Sequence, residues 1–284
     1  MKFLITCFFT ILAVSLHAQS SRVDSILQDF RQRPERVMVA AHRGPHLSHP
    51  ENSLAAIREA IRLGVDIVEL DVRETKDGVL VLMHDKTITR TTGQPGGTQD
   101  YTYAQLQQFP LLHSGQPTAE KIPTLEAALQ LVKGQILIDI DFKADNAEAA
   151  RKTCDLLKAT GTREQALFFL YDYKEAAQLH SWDPQVPIMP RAYNPGETAA
   201  ILQMAKFPAV HIDESFYTEE VAGSIRKTGA RVWLNALGKY DKAEKEIPGS
   251  GFAQLLSKYP AVNIIQTDLP EELIAFLRKK GLHR

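Results

Sequence analysis

The sequence predicts an α/β fold, a closed (β/α)8 TIM barrel, and three observations lead to that prediction. Short apolar runs alternate with amphipathic stretches along the chain, which is typical of consecutive βα units. Eight such units follow one another, whereas an open sheet would need helices on two faces and a switch point. The length of 284 residues also suits one barrel domain. A doubly wound parallel sheet is the alternative fold.

The eight predicted strands are short runs rich in apolar and β-branched residues. They span residues 37–41, 67–72, 136–141, 166–170, 188–191, 209–213, 231–234 and 263–267. Apolar residues at helical spacing follow most of these strands. The predicted helices span residues 53–63, 125–132, 147–160, 174–180, 197–205, 219–228, 252–259 and 271–280.

Residues 86–120 interrupt this alternation. The segment is rich in Thr, Gly, Gln and Pro, notably at residues 91–97, and it is too polar for a core helix. We therefore expect a small insertion over the barrel mouth, after an extension of the second strand at residues 79–83.

Residues 1–18 have the pattern of a signal peptide: Lys2, an apolar stretch over residues 3–16, and Ala18 at a small-residue end. An apolar run of about 14 residues is short for a bilayer span, which needs about 20. We expect cleavage and export to the periplasm or the medium, with an uncleaved anchor as the alternative. Residues 19–284 then form the single mature domain. Cys154 is its one cysteine, so no intrachain disulfide is available.

Composition and charge narrow the classes of partner. The chain is 44% hydrophobic and 24% charged, which is ordinary for a globular protein. Its 33 Lys+Arg and 34 Asp+Glu give a formal net charge of -1, so no positive field favours nucleic acid or an anionic membrane. We expect a small-molecule substrate, no nucleic-acid partner and no stable membrane span. The sequence does not specify the oligomeric state.

Ionisable residues gather at the predicted carboxyl ends of the strands, where barrel enzymes hold their catalytic groups. His42 and Arg43 close the first strand, and His84 closes the extension of the second. An imidazole moves protons near neutral pH, and a guanidinium holds an anion through two parallel hydrogen bonds. A histidine pair could therefore protonate and deprotonate the two sides of one scissile bond.

Two strands carry paired carboxylates. Glu69 and Asp71 share one face of the second strand, and Asp139 and Asp141 share one face of the third, with Lys143 just beyond. Carboxylates that face inward repel one another unless a cation compensates them, and an all-oxygen site suits Mg²⁺, Ca²⁺ or Mn²⁺. Because the intervening residues are apolar too, the pattern leaves open which face is inward.

The first helix begins after Glu51, Asn52 and Ser53. Asn52 or Ser53 would cap this helix for structural reasons alone, and a carboxylate in the first turn suits the helix dipole. For Asn52 we weigh capping and catalysis equally.

Together, the motifs of the chain resemble the glycerophosphodiester phosphodiesterase family, in the family's order, from about residue 37 to residue 271. The motifs are His42-Arg43-Gly44, Pro50-Glu51-Asn52, Glu69-Leu70-Asp71, Thr75-Lys76-Asp77-Gly78, His84-Asp85, Arg90-Thr91-Thr92-Gly93, Ile122-Pro123-Thr124-Leu125 and Thr267-Asp268-x-Pro270. The resemblance implies a barrel related to phosphatidylinositol phospholipase C, a small insertion after the second strand and one divalent-metal site, for Ca²⁺ or Mg²⁺, with Mn²⁺ as a further candidate.

The resemblance also implies a role for each matched residue. His42 and His84 correspond to the acid/base pair, and Arg43 and Lys143 to the phosphate-binding cations. Asn52 and Trp233 correspond to residues that contact the substrate. The implied metal ligands are Glu69, Asp71, Asp141 and Glu51. Asp141 departs from the family, which usually has Glu there, and Asp139 is an alternative ligand.

The implied reaction is metal-dependent hydrolysis of glycerophosphodiesters to glycerol 3-phosphate and an alcohol. Three alternatives stay open: a phospholipase C/D-like enzyme that acts on a lipid or inositol phosphodiester, a glycoside hydrolase with paired carboxylates, and a non-catalytic binding barrel.

Overall fold

A computed structural model describes residues 21–144 and 146–284 of the chain. The predicted signal peptide, residues 1–18, lies outside the described residues. Within the two described ranges, none of the helices combines the length and the apolar character that a bilayer span requires.

The structure is a nearly closed barrel of eight parallel strands, which confirms the predicted fold. The strands of the protein are β1 Met38–Ala41, β2 Ile67–Glu74, β3 Leu80–Leu82, β4 Pro110–His113, β5 Gln116–Lys121, β6 Leu137–Phe142, β7 Ala166–Leu170, β8 Ile188–Pro190, β9 Ala209–His211, β10 Arg231–Asn235 and β11 Ile264–Thr267. The barrel strands follow the order β8-β7-β6-β2-β1-β11-β10-β9, and a single bridge from Arg191 to His211 joins the two outermost strands.

Helices surround the barrel at all eight predicted places. They are α1 Arg22–Gln32, α2 Leu54–Leu63, α3 Thr89–Thr92, α4 Tyr103–Leu106, α5 Leu125–Val132, α6 Ala147–Thr160, α7 Ala176–Trp182, α8 Pro195–Met204, α9 Glu219–Lys227, α10 Lys239–Glu246, α11 Ser250–Lys258 and α12 Pro270–Lys279. The sequence did not predict α1, α10 or the two short helices of the insertion, α3 and α4. A capping box of Ser21 and Asp24 begins α1.

Helix α1 covers the amino end of the barrel. Its apolar residues Val23, Ile26 and Phe30 pack against side chains that point into the barrel, among them Met38 and Trp233. An apolar cluster therefore fills the interior beneath α1, and the cavity lined by polar side chains lies at the carboxyl end of the barrel.

The alternation along β2 shows which face is inward, the question that the sequence left open. Val68 and Leu70 pack outward in the core that contains the helices, whereas Ile67 belongs to the interior cluster. Since side chains alternate, Glu69 and Asp71 share the interior face with Ile67. Parallel pairing of β2 with β6 sets Glu69 beside Asp139 and Asp71 beside Asp141.

The insertion follows the second strand, as predicted. Strand β3 pairs antiparallel with β2, so the segment predicted as an extension of the second strand is a separate return strand. The helices α3 and α4 and the β4–β5 hairpin complete the insertion. It buries a small apolar cluster of its own, which includes Met83, Ile88 and Leu111. The insertion therefore has a small packed core of its own, although its composition is polar.

Candidate active site

A cavity of about 120 Å³ opens among the carboxyl ends of the strands. Eight of its lining residues were singled out from the sequence: His42, Glu69, Asp71, His84, Asp139, Asp141, Lys143 and Trp233. The other lining residues are Phe169, Tyr171, Arg191, His211, Asn235, Leu237 and Gln266.

Glu69, Asp71 and Asp141 form an acidic triad, in which one carboxylate oxygen from each residue lies within 4.8 Å of the others. Glu69 and Asp71 are buried. Burial, reinforced by the neighbouring carboxylates, raises the pKa of Glu69 well above its ordinary value. Glu69 Oε1 and Asp141 Oδ1 have no hydrogen-bond partner among the described residues.

Asp139 adds a fourth buried carboxylate beside the triad. Burial, then the charges of Asp141 and Asp71, raises its pKa well above the ordinary value, and its Oδ1 lacks a partner within the described ranges. Four crowded carboxylates with free oxygens are the all-oxygen environment that a hard divalent cation requires. The residues therefore fit a divalent metal.

Asn52 holds Asp71 in place. Its Nδ2 donates to Asp71 Oδ2 at 2.8 Å, and its Oδ1 accepts from the Asp71 amide at 3.0 Å. Asn52 adopts a left-handed conformation, with φ of 55°, that turns its side chain away from the helix. Ser53 caps α2 instead, by accepting from the Ala56 amide. The capping alternative for Asn52 was therefore wrong.

Arg43 lies between the triad and Glu51. Its amide donates to Glu69 Oε2 at 2.8 Å, its Nη1 donates to Glu51 at 3.1 Å, and its Nε lies 3.5 Å from Asp71 Oδ2. Arg90, from the insertion, donates two further hydrogen bonds to Glu51. Although burial opposes it, these cations lower the pKa of Glu51. Glu51 thus contacts two arginines and lies outside the acidic triad, and its role as a metal ligand stays a prediction.

Each candidate acid/base histidine has a carboxylate partner. His42 Nδ1 lies 2.7 Å from Asp268 Oδ1, and His84 Nδ1 lies 2.7 Å from Asp85 Oδ1. The hydrogen bond from Arg90 is the largest cause that lowers the pKa of Asp85, to about 2. Burial alone would raise the pKa of Asp268, but the hydrogen bond to His42 holds it below its ordinary value. Both partners are therefore carboxylates near neutral pH.

Lys143 is the second cation beside the triad. Its Nζ lies 2.7 Å from Asp141 Oδ2 and 3.6 Å from Asp71 Oδ1. Tyr171 also contacts this lysine, and its hydroxyl donates to Asp141 Oδ2 at 3.0 Å. Burial opposes the shift, but the carboxylate of Asp141 raises the pKa of Lys143. Two cations therefore flank the carboxylates.

Arg73 is a supporting residue that the sequence analysis missed. It donates to the carbonyl oxygens of His84 and Lys143, both at 2.9 Å, and so ties two site residues from different segments together. Its signal was available, since Arg73 continues the period-two series of Glu69 and Asp71 along β2.

His211 and Arg191 were also missed. His211 is buried, its ring lies 6.3 Å from that of Trp233, and neither ring nitrogen has a hydrogen-bond partner in the described chain. Burial, and then Arg191, lowers the pKa of His211 to about 3, so this imidazole is neutral. Both residues stand at carboxyl ends of strands, as His42 does, and that position was the available signal.

Trp233 lies where the sequence placed it, in the lining of the cavity, and it is fully buried. Its indole Nε1 donates to Asn235 Oδ1 at 3.0 Å. A contact between Trp233 and a substrate stays a prediction.

Comparison with known proteins identifies what this arrangement resembles. A model of the glycerophosphoryl diester phosphodiesterase family matches residues 42–212. A glycerophosphodiester phosphodiesterase of Caldanaerobacter subterraneus is 27% identical over 254 residues, which cover 87% of this chain and 100% of the relative. Glycerophosphodiester phosphodiesterase 1 of Mus musculus is 44% identical over 134 residues, which cover 44% of this chain and 40% of the relative.

Two solved structures show the same fold. A glycerophosphoryl diester phosphodiesterase from Parabacteroides distasonis superposes with a TM-score of 0.77 at 24% identity, covering 92% of this chain and 93% of the other. A phosphodiesterase from Oleispira antarctica, in complex with the product sn-glycerol-3-phosphate, gives a TM-score of 0.73 at 23% identity, covering 86% of this chain and 97% of the other.

Proposed function

The chain belongs to the glycerophosphoryl diester phosphodiesterase family, a family of phosphoric diester hydrolases, and we propose that it hydrolyses glycerophosphodiesters to glycerol 3-phosphate and an alcohol. One observation carries this proposal: a single cavity is lined by two histidines with carboxylate partners and by the acidic triad. The names of the relatives support it, as does the product bound to the Oleispira antarctica enzyme.

The acidic triad would hold one divalent cation, with Asp139 as the alternative to Asp141. Once bound, the ion would neutralise charge on the phosphodiester and polarise a phosphoryl oxygen. Ca²⁺ and Mg²⁺ are the leading candidates and Mn²⁺ is the third, since all three take oxygen ligands.

Arg43 and Lys143 would bind the phosphate oxygens. They lie near different oxygens of Asp71, and Arg43 Nε is buried without a hydrogen-bond partner in the described ranges. A phosphodiester carries one negative charge and gains more in the transition state, so fixed cations stabilise the reaction.

His42 and His84 would move the protons. Because Asp268 and Asp85 are ionised, each accepts the Nδ1 proton of its histidine, which leaves Nε2 as the reactive atom of each ring. One histidine takes a proton at Nε2 from the attacking hydroxyl, while the other gives its Nε2 proton to the leaving alcohol.

We propose that the attacking group is the 2-hydroxyl of the glycerol itself. Its oxygen forms a bond to phosphorus as the bond to the alcohol breaks, and water then opens the cyclic phosphate. A neighbouring hydroxyl has an effective concentration of about 10⁵ M or more, which favours this first step over direct attack by water. Detection of the cyclic species by ³¹P NMR during turnover would support it, and its absence under single-turnover conditions would contradict it.

The activity is tested with residues 19–284 and a panel of choline, ethanolamine, glycerol and inositol glycerophosphodiesters. We expect release of glycerol 3-phosphate that a chelator abolishes and one divalent ion restores. His42→Ala should remove this activity and keep metal binding, because His42 lies outside the acidic triad. His180→Ala, on α7, is the matched control. No release from any ester with any ion would overturn the assignment.

A lipid phosphodiester is the second candidate substrate. A cleft of about 430 Å³, lined by Phe142, Phe168 and Trp182, shares Phe169 and Tyr171 with the active-site cavity, and it could take an apolar chain. A lysophospholipid in the same panel distinguishes the two: preferential cleavage of it would favour the lipid substrate.

We also propose that residues 1–18 direct export to the periplasm or the medium. The support is the apolar stretch between Lys2 and Ala18. Cell fractionation with amino-terminal sequencing tests it: an exported chain that begins at Gln19 is expected, and a chain retained with an intact Met1 would contradict it.

A further inference from the structure

A second set of metal-ligating atoms lies beside the acidic triad, on the loops that follow β1 and β11. It consists of His42, His46 and Asp268, with one ligand atom from each within 4.8 Å of the others. Asp268 Oδ1 lies 2.7 Å from His42 Nδ1 and 3.6 Å from His46 Nε2. In a tetrahedral site with bonds of about 2.0–2.2 Å, ligand atoms are about 3.4 Å apart. Small side-chain rotations would therefore suffice to bind an ion.

The hydrogen bonds of His46 prepare its ring to be a ligand. His46 Nδ1 lies 2.8 Å from the carbonyl oxygen of His42, to which it donates its proton. The lone pair of His46 is then on Nε2, the atom that faces Asp268. Histidine ligands of metals are commonly oriented in this way, by a hydrogen bond from the other ring nitrogen to a backbone carbonyl.

The chemistry of the ligands selects the ion. Two imidazole nitrogens and one carboxylate oxygen suit Zn²⁺, whereas the all-oxygen acidic triad suits Ca²⁺ or Mg²⁺. The three side chains are about one fifth to one quarter exposed, at 19%, 19% and 25%, so an ion reaches them from solvent.

We propose that His42, His46 and Asp268 form an inhibitory Zn²⁺ site that switches off the hydrolase by capturing His42. Zn²⁺ would bind His42 at Nδ1, and the proton of the neutral ring would then reside on Nε2. An imidazole in that state has no lone pair left to accept a proton, and it holds its remaining proton too tightly to release it. The inhibition rests on the proposed role of His42 in catalysis, whereas the metal site itself does not.

Binding is measured first, by calorimetric titration of Zn²⁺ into protein already saturated with the activating divalent ion. We expect one site in the wild type, and a loss of at least about tenfold in zinc affinity in His46→Ala, because one ligand is removed. His49→Ala, on the same loop but outside the ligand set, is the matched control. If His46→Ala does not fold, His46→Gln keeps a donor to the His42 carbonyl and removes the imidazole ligand.

Activity is measured second, as glycerol 3-phosphate release over a range of zinc concentrations. We expect zinc to inhibit the wild type without competing with the activating ion, and His46→Ala to need at least about tenfold more zinc, in line with the lost ligand. Inhibition that excess activating ion reverses, and that is equal in His46→Ala, would place zinc in the acidic triad and overturn the proposal.

The absence of a zinc site by calorimetry would also overturn it. These outcomes are separate from the proposed function, because calorimetry reports the site whether or not the protein releases glycerol 3-phosphate.

Discussion

Buried charged side chains at the two ends of the barrel interior differ in how many hydrogen-bond partners they have. At the amino end, the buried side chains of Arg231 and Asp66 are surrounded by partners, and at the carboxyl end several buried polar atoms have none within the described residues. Buried polar atoms are normally paired, because an unpaired one destabilises the folded state. The contrast therefore separates the end that holds the barrel together from the end that is prepared for a ligand.

Arg231 and Asp66 show the pattern at the amino end. Arg231 is buried and donates hydrogen bonds to the carbonyl oxygens of Phe30 and Arg36, among others. Asp66 accepts from the Val39 amide and pairs with His283, both at 2.8 Å. These contacts tie α1 and the carboxyl terminus to the barrel.

The unpartnered atoms at the carboxyl end point to a different use. Oxygens of Glu69, Asp139 and Asp141, and both ring nitrogens of His211, lack hydrogen-bond partners within residues 21–144 and 146–284. Burial, and with it the charge of the neighbouring carboxylates, raises the pKa of Glu69, Asp139 and Asp141, so their arrangement destabilises the metal-free protein. Because these residues destabilise the metal-free protein, we expect them to have a role in binding or catalysis.

The largest expected effect comes from Glu69→Gln. We expect kcat/KM for glycerophosphodiesters to fall by about 10³-fold or more, because a proposed metal ligand worth several kcal/mol is lost. The free energy of unfolding in chelator should stay unchanged or rise, since one of four crowded charges is removed. Steady-state kinetics and urea unfolding measure the two quantities. Glu148→Gln, exposed on α6, is the control.

The next effect is that of Asp268→Asn, which should lower kcat by about two to three orders of magnitude by disturbing the His42 tautomer. Zinc affinity should fall as well, because Asp268 is one of the proposed zinc ligands. Asp85→Asn is the matched comparison at His84, and it should lower kcat without weakening zinc binding. Equal zinc affinity in the wild type and Asp268→Asn would count against the proposed ligand set.

At the amino end, Arg231→Met should have the reverse profile. We expect the free energy of unfolding to fall by about 3 kcal/mol, because several buried carbonyl oxygens lose their donor. The kcat of the molecules that remain folded should not change. Urea unfolding measures the loss of stability, and active-site titration gives kcat per folded molecule. A variant that is stable but inactive would contradict the proposed difference between the two ends of the barrel.

The smallest effect is a difference in pH dependence. Folding raises the pKa of Glu69 and Asp139, so without metal these groups destabilise the fold increasingly as pH rises above about 4. Asp66 has the opposite effect. Burial alone would raise the pKa of Asp66, but the hydrogen bond with His283 lowers it. Asp66 therefore stabilises the fold above about pH 4, and this stabilisation is lost as the pH falls. The free energy of unfolding of the metal-free protein should therefore decline from pH 4 to pH 8. Glu69→Gln should weaken this decline, and Asp66→Asn should not. Identical slopes in all three proteins would contradict this account.

The sequence predicted the barrel because short apolar and β-branched runs mark the strands, and apolar residues at helical spacing mark the helices between them. It left the inward face of β2 open because helices cover the outside of the barrel, so both faces of the strand are apolar there. Helix α1 was not predicted, although a local signal was present, since Ser21 and Asp24 form a capping box at its start.

Within the site, residues in local motifs could be predicted and residues defined by geometry could not. His42 and Glu69 stand in recognisable motifs, whereas His211 stands at a strand end outside any such motif, and only the structure shows that its ring nitrogens lack partners within the described residues. The role of Asn52 depends on a left-handed backbone conformation that sequence does not specify. Asp268 is 226 residues from His42 in the chain, and only the closed barrel brings them together.

We propose that the unpartnered carboxylates bind a catalytic metal, and one measurement tests this directly. It follows the free energy of unfolding and glycerol 3-phosphate release together, near neutral pH, for the wild type and Glu69→Gln, with chelator and with saturating divalent ion. We predict that the ion stabilises the wild type and switches on release, and that it changes neither quantity in Glu69→Gln. Full release by the wild type in chelator, or equal stabilisation of both proteins by the ion, would contradict the claim.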